Sequence, residues 1–160
     1  MKLFEEYLIK AFDYEKENNK VCFLGDKSVF EMSLRQKMLE IEEKTKNRDG
    51  MILNIAVNYG GRDELVTAVK AIAEKVKAGE IQPCDITEQL ISDSIYTKGQ
   101  PDPDFILRPS GEKRLSNFMI WQASYSEFVF MDVLWPDFKR ADLDKAIEEY
   151  YTRKRRFGGL

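Results

Sequence analysis

Residues 105–138, FILRPSGEKRLSNFMIWQASYSEFVFMDVLWPDF, decide how this chain is read. Phe105, Ile106 and Leu107 form an apolar run that stops at Arg108, and Pro109, Ser110 and Gly111 then force a turn. A strand therefore ends where a polar loop begins. In an open α/β sheet, ligands bind beyond the carboxyl ends of the strands, so Arg108 and Arg114, with Ser116 close by, make a candidate anion cradle. The planar guanidinium fork donates two parallel hydrogen bonds, which suits phosphate oxygens. The charge pattern by itself equally allows a solvated loop in which Arg108, Glu112, Lys113 and Arg114 pair locally.

Upstream of this stretch, Met51 to Val57 is almost unbroken apolar sequence, as expected of a parallel strand covered on both faces. Asn58-Tyr59-Gly60-Gly61-Arg62-Asp63 joins it to a helix with Leu65, Val69, Ile72 and Val76 on its inner face. The glycine pair can let backbone amides face an anion, or simply serve a tight strand-to-helix turn. Further back, Val21 to Leu24 reads as a strand closed by Gly25-Asp26. Phe30, Leu34, Met38 and Ile41 place a helix after it, and Leu3, Phe4, Tyr7, Leu8, Ala11 and Phe12 place an amphipathic one before it.

Gly79 ends the helix after the glycine pair, and Asp85 with Glu88 opens the next, with Leu90, Ile91 and Ile95 inward. Beyond the arginine loop the spacing predicts a helix over Leu115–Ser124, a strand over Phe128–Met131 and a turn at Trp135-Pro136-Asp137-Phe138. A last helix then runs over about residues 141–155, with Leu143, Ile147 and Tyr150 or Tyr151 inward. Strands alternating with helices define an α/β fold with a mostly parallel sheet and flanking helices. Four strands and one domain over residues 1–160 are expected.

Composition narrows the chemistry. Of 160 residues 43% are hydrophobic, enough for a core, and a net charge of −3 argues against nucleic-acid binding. The chain has no histidine, which removes the commonest general base and every Ser-His or Cys-His pair. Acid–base work falls to carboxylates, tyrosines, lysines or the substrate. Cys22 and Cys84 lack metal-ligand spacing, so the chain reads as reduced and cytoplasmic. No apolar run approaches the roughly 20 residues that span a bilayer.

The order Arg108-x-x-Gly111-Glu112-x-Arg114-x-Ser116-Asn117-Phe118, then Trp121-Gln122, then Glu127, then Asp132-Val133-Leu134-Trp135-Pro136-Asp137-Phe138, resembles the cis-prenyltransferase family, above all its undecaprenyl diphosphate synthases. The likeness extends upstream through Leu53-Asn54-Ile55-Ala56-Val57-Asn58-Tyr59-Gly60-Gly61-Arg62 and downstream to Arg155-Arg156-Phe157-Gly158-Gly159. It departs at Pro109-Ser110, where the proline removes a backbone donor.

The resemblance implies a Mg²⁺-dependent transferase of isoprenoid biosynthesis that extends an allylic diphosphate, such as farnesyl diphosphate, with isopentenyl diphosphate; an undecaprenyl product would serve as cell wall lipid carrier. It implies that Arg108, Arg114 and Ser116 grip the diphosphate of isopentenyl diphosphate and that Glu127 is a Mg²⁺ ligand. Arg156 and Gly158 would belong to a tail that crosses a dimer interface to the same substrate. Phe118, Trp121, Phe128, Phe130 and Trp135 would supply apolar surface for that homodimer, or for association with a related chain. Contact with the membrane would be peripheral.

The Asp-Gly-Asn-Gly-Arg-type loop that family members carry near their N-terminus is not found among the 160 residues. The likeness thus covers the C-terminal portion of the family's domain, and no catalytic aspartate is assigned. The chain alone is expected to bind isopentenyl diphosphate weakly and not to turn over farnesyl diphosphate. The alternative is a non-catalytic partner subunit that completes the site of another cis-prenyltransferase chain.

Overall fold

In the computed structural model, the described residues are 18–153. The expected N-terminal helix over residues 3–12, and Arg156 and Gly158, lie outside them. The chain divides into two compact units, Met1–Tyr59 and Gly60–Leu160.

The first unit holds strand β1 (Lys20–Leu24), helix α1 (Met32–Thr45) and strand β2 (Ile52–Ala56). β1 and β2 pair in parallel, with Val21 opposite Leu53 and Leu24 opposite Ala56. Leu34, Met38 and Ile41, spaced four and three apart, press one face of α1 onto Val21 and Phe23, with Phe30, Ile55 and Val57 at the margin. Each such buried side chain contributes about 1.5–3 kcal/mol. Phe30 precedes α1 rather than lying in it, because the helix begins at Met32.

Side chains of α1 also satisfy backbone donors of β1. Val21 N–H donates to Thr45 Oγ1 at 3.0 Å, and Phe23 N–H to Glu42 Oε1 at 2.8 Å. The Thr45 hydroxyl donates in turn to the Ile41 carbonyl at 2.9 Å, so its position is fixed. β2 differs from the expectation of burial on both faces. Met51, Ile52 and Ala56 are exposed and the residues between them half-buried, because α1 covers one side only. At Gly25 (φ +115°) an added Cβ would stand 2.2 Å from the Val57 carbonyl oxygen, so the turn out of β1 admits glycine alone.

The second unit runs through α2 (Gly61–Lys77), α3 (Glu88–Ser92), β3 (Phe105–Arg108), β4 (Glu127–Phe130) and α4 (Arg140–Thr152). β3 and β4 pair in parallel, Phe105 opposite Glu127 and Arg108 opposite Phe130. The described residues thus hold four strands, all paired in parallel, and the α/β expectation stands.

Several details depart from the periodicity. The buried stripe of α2 is Gly61, Glu64, Ala68 and Ile72, whereas Val69 is 57% exposed. Both stripes satisfy a period of 3.6, and the one carrying small residues wins where another segment comes close. α3 is capped by Thr87, whose Oγ1 accepts from Leu90 N–H at 3.2 Å, not by Asp85. Asp85 instead accepts from Gln82 N–H at 2.8 Å within a short 3₁₀ turn.

The helix expected over Leu115–Ser124 is absent. Ser116, Asn117 and Met119 take φ of +51°, +65° and +47°, and regular structure resumes only as a 3₁₀ turn over Gln122–Tyr125. α4 stops at Thr152, with Arg153 extended. It buries Ala146 and stacks Tyr150 on Phe105 at 5.3 Å, while Leu143 and Tyr151 are exposed.

Thr45→Val keeps the volume at this buried position and removes the acceptor for Val21 N–H. Urea denaturation of the variant should show a loss of about 1–3 kcal/mol; an unchanged stability would remove the hydroxyl from the account of how β1 is held.

Candidate functional site

The site grows from the carboxyl end of the β3–β4 pair. Arg108 closes β3, and its carbonyl accepts from Met131 N–H at 3.0 Å. Pairing continues past both strands, with Gly111 N–H on the Met131 carbonyl and Ser110 N–H on the Val133 carbonyl, each at 2.8 Å. Pro109, which lacks a donor, lies beside these bonds and breaks none of them. Gly111 takes φ +72°, where a residue with a Cβ is strained, and an added Cβ would also press on Asp132 Oδ1 at 3.0 Å.

The turn folds residues 112–116 back over Arg108. Its Nη1 donates to Ser116 Oγ at 3.0 Å and to the Arg114 carbonyl. Arg114 pairs with Glu112. The three residues expected to form the cradle are therefore brought together. Arg108 and Arg114 line one cleft of about 200 Å³ with Ile106, Leu107, Leu115, Phe118, Phe128 and Phe130. The cleft combines two guanidinium groups with an apolar wall, a surface suited to a small anion that carries a hydrocarbon. The Arg114–Glu112 pair is largely exposed, so it is worth no more than about 1 kcal/mol and a more highly charged anion can displace it.

The polar loop is tied to α2. Gly61 N–H donates to the Asn117 carbonyl at 2.7 Å and Arg62 N–H to Asn117 Oδ1 at 2.9 Å. Of the two readings open for the glycine pair, the tight strand-to-helix turn is the one these bonds support, because Asn117 takes the amides of Gly61 and Arg62. A Cβ on Gly60 would meet Asn117 Nδ2 at 2.9 Å, and one on Gly61 would meet Ile120 Cγ1 at 2.8 Å. The two glycines permit a close approach between loop and helix.

Beneath this contact lies a buried polar cluster that the sequence reading missed. Glu64 accepts from Tyr96 N–H at 2.9 Å and from Gln122 Nε2 at 3.2 Å, and Gln122 Nε2 also reaches Thr97 Oγ1 at 3.1 Å. Trp121 Nε1 donates to Ser92 Oγ at 3.0 Å. The available signal was the spacing of Gly61, Glu64, Ala68 and Ile72, which puts a glutamate on a stripe of otherwise small or apolar residues.

Glu127 sits elsewhere. It opens β4 opposite Phe105, while Arg108 stands opposite Phe130, so about 10 Å of strand separates the two positions. Glu127 Oε2 is paired with Arg153 Nη1 at 2.8 Å. Glu127 first, and Glu149 after it, hold the Arg153 guanidinium above its usual pKa. Among the described residues no group of three or more His, Cys, Asp or Glu could hold a metal ion, so Glu127 offers one carboxylate and not a Mg²⁺ cage. Trp135 is 70% exposed and stacks on Phe138 at 5.4 Å, so within this chain it is not a core residue.

Parallel strands ending at an arginine-serine loop, with an apolar wall beside it, define an α/β protein with one cleft that is both cationic and apolar. The chain belongs to the prenyltransferase family whose model, described as undecaprenyl diphosphate synthase, matches residues 1–158. It is 48% identical over 161 residues to an isoprenyl transferase of Clostridium perfringens, covering all of this chain and 64% of that protein. The chain thus spans somewhat less than two thirds of that curated relative.

Among solved structures it is similar to lavandulyl diphosphate synthase from Lavandula x intermedia in complex with dimethylallyl diphosphate. The identity is 36% and the TM-score 0.92, over 99% of this chain and 69% of that one. A probable undecaprenyl diphosphate synthase from Campylobacter jejuni matches at 33% identity and a TM-score of 0.83, over 99% of this chain and 72% of that one. The family and fold expected from the residue pattern are both borne out.

Glu64→Ala strips the acceptor from Tyr96 N–H and Gln122 Nε2 at once. Chemical denaturation should register a loss of about 2–4 kcal/mol; a change below about 0.5 kcal/mol would mean that the cluster is not a structural tie.

Proposed function

We propose that the chain is of the Z-polyprenyl diphosphate synthase type, undecaprenyl subgroup, whose reaction joins isopentenyl diphosphate to an allylic diphosphate such as farnesyl diphosphate, and that by itself it is weakly active or inactive. The observation that carries this reading is the single cleft in which Arg108 and Arg114 meet Leu115, Phe118, Phe128 and Phe130. Isopentenyl diphosphate has the same two parts, a multiply charged head and a short branched hydrocarbon. The head would lie on the guanidinium forks and the Ser116 hydroxyl, displacing Glu112 from Arg114, with charge-assisted hydrogen bonds in place of the internal ones. The hydrocarbon would lie against the phenylalanines, which exclude water from it.

A relative with dimethylallyl diphosphate bound supports an allylic diphosphate as the second substrate. Arg156 and Gly158 extend the cradle in this proposal, and Mg²⁺, when bound, would neutralise diphosphate charge with Glu127 as one of its ligands. The reading is of a cytoplasmic protein that meets the membrane peripherally.

The distance between Glu127 and the cradle favours a second element of the proposal. Glu127 starts β4 at one end of the strand pair and Arg108 ends β3 at the other, which fits a homodimer, or a pair with a related chain, in which Glu127 serves the partner's site. The same observation suits a non-catalytic subunit that lends Glu127 to another synthase. Co-purification with a full-length synthase, and loss of that synthase's activity when Arg156→Ala is made in this chain, would mark the second case; the first predicts neither.

Calorimetric titration with isopentenyl diphosphate tests the cradle. Arg108→Ala should weaken binding at least about tenfold, the loss expected for a charged hydrogen-bonding partner. Glu112→Gln, which frees Arg114, should tighten it by up to about fivefold. Equal affinity of the Arg108→Ala and parent chains would overturn the assignment.

A further inference from the structure

Asn117 holds the cradle loop from behind. Its carbonyl and its side-chain oxygen take two successive amides of the first turn of α2, Gly61 N–H at 2.7 Å and Arg62 N–H at 2.9 Å. It stands next to Ser116, and both residues have left-handed φ, +65° and +51°. Non-glycine residues hold that conformation only where their surroundings impose it, asparagine being the most tolerant of them. Ser116 Oγ is the group that meets Arg108 Nη1 at 3.0 Å. A chain of contacts therefore runs from the start of α2 through Asn117 and Ser116 to the guanidinium of Arg108. Gly60 and Gly61 leave the room it needs, since a Cβ on either would enter van der Waals space of Asn117 or Ile120.

We propose that Asn117 is a positioning residue: by clasping the Gly61-Arg62 turn of α2 it fixes Ser116 and the Arg114 carbonyl where they aim Arg108 at the bound diphosphate. The proposal rests on the reading of Arg108, Arg114 and Ser116 as the isopentenyl diphosphate cradle. Asn117 itself need not touch the ligand, and its effect passes through the loop geometry. A preorganised fork loses less freedom on binding than a mobile one, so the clasp acts on affinity. The 3₁₀ turn over Gln122–Tyr125 and the Glu64–Gln122 cluster anchor the same segment at its far end. Loss of the clasp should therefore loosen residues 114–119 without unfolding the unit.

The test uses the full chain, with isopentenyl diphosphate and inorganic pyrophosphate as probes and two variants that reach the clasp from opposite sides. Asn117→Ala removes the side-chain acceptor and the tolerance for positive φ. Gly61→Ala leaves Asn117 in place but drives a Cβ into Ile120, while favouring the helix itself. Both should weaken binding of either probe about 10-fold or more. Both should also speed amide exchange at residues 61–62 and 114–119, with the melting temperature shifted by only a few degrees. Asn117→Gly, which keeps the backbone conformation but not the side chain, should fall between the parent and Asn117→Ala.

Undiminished affinity in Asn117→Ala, with faster exchange at Gly61 and Arg62, would overturn the proposal and leave the cradle intact. If the parent chain binds neither probe, the cradle reading fails and the proposal fails with it, a result distinct from equal binding by parent and variants. Exchange rising across the whole unit, together with a large fall in melting temperature, would also count against it, because Asn117 would then be a general stability residue.

Discussion

The hydrogen bond from Met131 N–H to the Arg108 carbonyl is the hinge on which the site depends. It ends β3 and β4 at the same level, and the two bonds beyond it, from Gly111 and Ser110, force the chain to double back over Arg108. Without that reversal Arg108 and Arg114 would be two surface cations at unrelated places. With it, Arg108 is half-buried and held by Ser116, and Arg114 joins it at the mouth of an apolar cleft. Electrostatics alone would not assemble this arrangement, since like charges repel; the backbone ladder and the Asn117 contact bring the two arginines together.

The polar cluster around Glu64 explains why the loop can be irregular and still be fixed. A buried carboxylate must find donors or its burial is costly, and Tyr96 N–H and the Gln122 amide supply them. Because Gln122 lies just past the left-handed residues, that requirement pins one end of the segment. Asn117 pins the middle, and the β4 pairing begins at Glu127. Of the left-handed residues, Asn117 is itself a tie, Met119 lies between two of them, and Ser116 adjoins the first and meets Arg108.

Local sequence signals conveyed much of this organisation and failed at identifiable places. Apolar runs located all four strands to within one or two residues, because a strand of this size announces itself by continuous Val, Ile, Leu and Phe. The grouping of Arg108, Arg114 and Ser116 was legible because a strand end, a turn and two arginines fall within a few positions of one another. The segment 115–124 was misread as helix. Its pattern permits one, and what prevents it is contact with α2 and with Thr97, partners distant in sequence. The inner face of α2 was rotated for a related reason. Periodicity weighted Val69 over Ala68, whereas the buried stripe starts at Gly61, where Ile120 leaves no room for a Cβ, and so runs through Glu64 and Ala68. Glu127 shows a third limit, since its pattern fixes its identity and not its place, and only the strand register shows it at the far end of β4 from the cradle.

In the proposed function one cleft takes both parts of isopentenyl diphosphate. Comparing amide and methyl NMR shifts of the chain on adding inorganic pyrophosphate and on adding isopentenyl diphosphate tests it most directly. Both ligands should perturb Arg108, Arg114 and Ser116, and only isopentenyl diphosphate should also perturb Leu115, Phe118, Phe128 and Phe130. Identical shifts from the two ligands, or shifts confined to residues away from the cleft, would contradict it.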